Sequence, residues 1–79
     1  MWIRSQDKMK LYNLDKAGFI RISKSYGSKD KNGNKLTAAI VLENSTSLGL
    51  YNTETDALNV INSIERFISE GVNNVFQMP

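Results

Sequence analysis

From Thr53 to Gly71 the chain carries one sustained helical pattern, and that pattern decides most of what the rest can be. Ala57, Leu58, Val60, Ile61, Ile64, Phe67 and Ile68 recur at three- and four-residue spacing, so they share one broad apolar face. Asn59, Asn62, Ser63, Glu65, Arg66 and Ser69 fall mostly on the other side. Thr53 is placed to cap the N-terminus, its hydroxyl accepting from the Asp56 amide, and Glu54 and Asp56 suit the positive end of the helix dipole. Gly71 is the natural residue just past the C-terminus. An apolar face this wide needs a surface to cover. Seven apolar positions at helical spacing read as core rather than as a cofactor box.

The remaining chain alternates at period two, so the partner of the helix is a sheet. Strands are expected at Trp2–Gln6, Leu11–Leu14, Phe19–Tyr26, Lys35–Glu43 and Leu48–Asn52, with a short edge strand from Val75 that stops at Pro79. Asn32-Gly33 reads as a two-residue type I′ hairpin turn, because both residues tolerate positive φ. Leu36, Ala38, Ile40 and Leu42 share one face of their strand while Ala39 and Val41 line the other, which makes it a central strand. Gly49 marks a bulge or a close approach by another backbone or a ligand, with close packing the simpler cause. Asn73 and Asn74 read as a turn. The expected fold is α+β: a small antiparallel sheet of four to five strands with one C-terminal helix packed on one face, in a single domain over residues 1–79.

A chain of 79 residues has a thin core, burying about 60% of its unfolded surface. It has no cysteine and no histidine, which removes disulfides, thiolate metal sites, thiol nucleophiles and the commonest general base. The stabilising device left is self-association, so a homo-oligomer is expected. There is no Gly-rich dinucleotide fingerprint and no phosphate loop, so no cofactor is expected. No metal cage and no pair of carboxylates stands out, and the chain reads as non-enzymatic, with no catalytic residues and no metal ligands. The longest apolar run, Leu36 to Leu42, is far short of a membrane span, and the N-terminal residues lack a signal-peptide core; the expectation is a cytoplasmic protein. Charge is divided unevenly. Up to Leu36 there are nine basic groups against three acidic ones; beyond it Arg66 faces five carboxylates. This points to an anion-binding surface on the N-terminal strands, or to self-association between faces of opposite sign, or simply to a solvated surface.

Alternation places Trp2, Arg4 and Gln6 on one face of the first strand. An indole can stack a base, a guanidinium can grip phosphate through two donors, and an amide can bond a base edge, with Ser5 and Lys8 as helpers. The alternative is that Trp2 caps the core and Arg4 stacks on it. The opening Trp2-Ile3-Arg4-Ser5-Gln6-Asp7-Lys8, together with Leu48-Gly49-Leu50-Tyr51-Asn52-Thr53-Glu54, Ala57-Leu58 and Val75-Phe76-Gln77-Met78-Pro79, resembles a group of small uncharacterised proteins of low-GC Gram-positive bacteria and their phages. The resemblance implies an α+β fold and a mobile-element setting, with a host cytoplasm as the site of action. It supplies no activity. Three functions are therefore carried forward. The first is an oligomeric protein that sequesters a phosphate-bearing nucleotide signal of host defence between subunits, through Trp2, Arg4, Ser5, Gln6 and Lys8. The second is an inhibitor of a host protein, docking through the lysine-bearing hairpin Tyr26 to Leu36. The third is direct nucleic-acid binding by a basic, aromatic sheet.

Overall fold

The computed structural model describes residues 1–16, 18–71 and 75–79. The elements run β1 (Trp2–Arg4), β2 (Leu11–Asn13), a 3-10 turn (Leu14–Lys16), β3 (Ile20–Lys29), β4 (Lys35–Leu42), β5 (Ser47–Tyr51), α1 (Glu54–Ser69) and β6 (Val75–Gln77). The turn expected at Asn73 and Asn74 lies outside the described residues.

The chain is α+β, but its strands do not form one antiparallel sheet of four or five. Among the described residues they form two three-stranded sheets, ordered β2-β1-β6 and β3-β4-β5. The second is an antiparallel meander with β4 in the centre. The first is mixed: β1 runs antiparallel to β2 and parallel to β6, with Ile3 opposite both Tyr12 and Phe76. Joining the two ends of the chain in parallel needs the whole intervening fold as its crossover, which no local pattern announces.

The helix forms as its sequence dictates. Thr53 has extended backbone, and its hydroxyl accepts from the Asp56 amide at 3.1 Å. At the other end Gly71, at φ 66, donates its N–H to the Ile68 carbonyl. The buried stripe is narrower than the apolar pattern. Ala57, Val60 and Ile64 are buried, while Leu58 and Ile68 stay about half exposed. A three-stranded sheet is wide enough to cover only one such stripe. The helix lies against β3, β4 and β5, and its Phe67 ring meets Phe76 of β6 edge to face at 5.4 Å. One core therefore serves both sheets: Ile3, Ala38, Ile40, Leu48, Ala57, Ile64 and Met78 are all almost fully enclosed.

The β3–β4 turn differs from a type I′ hairpin. Five residues separate the strands, Gly33 alone takes positive φ, and its N–H donates to the Asp30 carbonyl. The Asp30 carboxylate accepts from the Asn32 and Asn34 amides at 2.9 Å, so an Asx turn organises the loop. Gly49 is a packing glycine. A Cβ there would stand 2.8 Å from the Tyr51 hydroxyl and 3.1 Å from the Gln6 Cβ.

Candidate functional site

β1 is the central strand of its sheet, and its alternation sorts its side chains cleanly. Ile3 is buried in the core, while Trp2 and Arg4 face outward. Cross-strand register sets Leu11 and Gln77 beside Arg4, and Asn13 and Val75 beside Trp2. Trp2, Leu11 and Val75 are each close to half exposed. The outer face is thus a guanidinium set among three uncovered apolar side chains. Among the described residues Arg4 has no ion pair, the single one being Met1 with Asp15. Trp2 does not cap the core; that role falls to Ile3, with Phe76 and Tyr12 on the inner face.

Ser5, Gln6 and Lys8 do not join this face, because the strand stops at Arg4. The Ser5 N–H donates to the Lys10 carbonyl, and the chain turns back into β2. Ser5 is buried; its hydroxyl donates to Asp7 at 2.6 Å and accepts from the Lys10 amide. The hydroxyl bond, followed by the Met9 amide, holds the Asp7 carboxyl below the ordinary aspartate value. Lys8 occupies the turn at φ 66 with its side chain exposed, and its N–H donates to the Ser5 carbonyl.

Gln6 is a clamp rather than a reader of base edges. Its backbone N–H donates to the Leu48 carbonyl at 2.8 Å. Its Oε1 accepts from the Leu50 N–H, and its Nε2 donates to the Leu50 and Pro79 carbonyls. The carboxamide thus pairs with β5 as an added strand residue would, and joins the first sheet to the edge of the second. Both ends of the amide are occupied, so neither is free for a ligand.

Several hollows lie away from this face, and two of them bear on function. An apolar groove of about 320 Å³ runs between α1 and the start of β3, lined by Phe19, Ile61 and Ile68 among others. A basic hollow of about 580 Å³ sits beside the middle of the β3–β4 hairpin, where the ladder is irregular between Lys24 and Ser28. Sequence alternation does not reveal the second, although Gly27, between Tyr26 and Ser28, is the available signal. Among the described residues no cluster of carboxylates could hold a metal ion, and no helix is long and apolar enough to cross a membrane. Tyr51 has a buried hydroxyl with no partner among the described residues; burial pushes it up to about 12, so it remains a neutral phenol in the core. Compared with known proteins, the chain matches no family model, no curated protein and no solved structure, and its functional reading rests on its own residues.

Proposed function

We propose that the chain is a non-enzymatic binding protein whose outer β1 face takes a phosphate-bearing nucleotide, with a second copy of the chain closing over it. The observation that carries this reading is the pairing of Arg4, which has no ion pair among the described residues, with a half-exposed Trp2 on one face of a central strand. Two positions along a strand are separated by about 7 Å, which suits a base on the indole and its phosphate at the guanidinium. The face is open, so a single chain cannot enclose a ligand there; a subunit interface supplies the missing wall. The site is smaller than alternation alone indicates: Trp2 and Arg4 form it, and Ser5 and Gln6 support it from behind.

Calorimetric titration with a panel of cyclic, linear and ADP-ribose-type nucleotides tests this. Binding tighter than about 10 μM, roughly −7 kcal/mol, is expected for at least one member. Arg4→Ala abolishes it with the fold intact, and Arg4→Lys weakens it because an ammonium lacks the planar fork. If no nucleotide binds, the β1 face itself fits a protein partner, a different surface from the Tyr26 to Leu36 hairpin expected to dock a host protein. Trp and Arg among apolar neighbours are the residues that dominate protein interfaces.

A further inference from the structure

Between the pairs Lys24–Ala38 and Ser28–Leu36, β3 carries Ser25, Tyr26 and Gly27 where β4 carries only Thr37. A strand with surplus residues must arch, and Gly27 at φ 78 takes the bend. β4 is held against following it, because the Thr37 hydroxyl donates to the Asn52 carbonyl at 2.6 Å. The hollow under the arch, about 580 Å³, is lined by Lys24, Lys29 and Lys35, with Glu54 as its one carboxylate. That volume lies within the ordinary range for ligand pockets.

Two features here cost stability with no return inside the fold. Lys29 and Lys35 are direct cross-strand partners, and like charges so placed repel. The adjacent Asp30 does not relieve them, since its carboxylate is taken up by the Asn32 and Asn34 amides, and neither lysine has an ion pair among the described residues. Tyr26, at the arch, is 83% exposed, an aromatic ring held in water. A multiply charged anion resolves the first cost, and a planar base resolves the second.

We infer that this arch is a second anion site, with Lys24, Lys29 and Lys35 taking the phosphates of a nucleotide and Tyr26 stacking its base. The inference is independent of the Trp2–Arg4 face. Phosphates followed by a base occur in a free nucleoside polyphosphate and in single-stranded nucleic acid, and both present the same chemistry to these residues. Glu54 opposes binding and sets its strength.

The test is titration of the ¹⁵N-labelled full chain at low salt with inorganic tripolyphosphate, a nucleoside triphosphate and a single strand of about ten nucleotides. The Gly27 and Ser28 amides are expected to shift with all three. Replacing Lys29 and Lys35 together by Gln should weaken each at least about tenfold without lowering Tm, since the repelling pair is removed. Tyr26→Ala should weaken the two base-bearing ligands and leave tripolyphosphate unchanged, and Glu54→Gln should tighten all three. Arg4→Ala should leave the Gly27 and Ser28 shifts in place, which separates this site from the β1 face. A single strand bound more tightly than the triphosphate assigns the arch to nucleic acid, and the reverse assigns it to a free nucleotide. No shift at Gly27 and Ser28 from any ligand, or affinities unchanged in the double lysine variant, overturns the inference.

Discussion

Removing the Gln6 carboxamide would strand three groups at once: the Leu50 N–H and the Leu50 and Pro79 carbonyls all lose their partner. The Pro79 carbonyl is exposed and turns to water, but the two Leu50 groups are partly buried, and such peptide groups left unpaired cost about 1–3 kcal/mol. Gln6→Ala should therefore destabilise the chain by about that amount, and Arg4→Ala, on an open face, by less than about 0.5 kcal/mol. Chemical denaturation of the two variants checks this, and equal midpoints would show that the clamp holds nothing. The contrast also marks how far single residues are legible in the sequence. Ile3 inward and Trp2 and Arg4 outward follow from period two. Gln6 does not, because alternation has no meaning beyond the last strand residue. Its partner, Leu50, is 44 positions away and is a backbone group, so no side-chain pattern points to it.

Elements whose signals are local were readable, and those whose partners are distant were not. α1 carries its own start at Thr53 and stop at Gly71, and both caps form as their residue types require. β4 reads as central from its two apolar faces, and it is central. The parallel β1–β6 pair has no such mark, and the arch of β3 has only Gly27, since each depends on what the rest of the chain leaves beside it. The buried helix stripe is narrower than the apolar pattern for the same reason: seven apolar residues lie within reach of one face, but the sheet beneath it decides how many are covered. Ile64 is 2% exposed and Leu58 50%. Ile64→Ala should cost about 2–5 kcal/mol, as truncations of buried aliphatic residues do. Leu58→Ala, already half in water, should cost well under half as much. Thermal melts decide it, at about 4–8 °C per kcal/mol for a domain of this size. Similar losses at the two positions would mean that the helix buries the broader stripe after all.

The molecule as a whole exposes more surface than its mass calls for. A compact protein of 8.9 kDa exposes about 4800 Å², and this chain exposes 5449 Å² over a body of 37 × 22 × 20 Å. Part of that exposed surface is apolar and gathered on the outer face of the first sheet, where Trp2, Leu11 and Val75 surround Arg4. A second copy laid on this face by a two-fold axis would cover those side chains, and about 800 Å² from each chain makes an interface of standard size. Such an axis near β1 also brings the Arg4 of each protomer toward its twin. Two guanidinium groups brought together in a closing interface repel strongly unless an anion lies between them. Under the proposed function, self-association and nucleotide binding would then be linked, each strengthening the other by the same factor. Light scattering at micromolar concentration should show a mass shifting toward twice the 8.9 kDa chain when a binding nucleotide is added. Without ligand, Arg4→Ala should dimerise more readily than the parent, because the repulsion is gone, yet it should no longer respond to nucleotide. Trp2→Ala should weaken the dimer in both conditions. A nucleotide that binds while the mass stays at one chain would break the link and place the ligand on an open face.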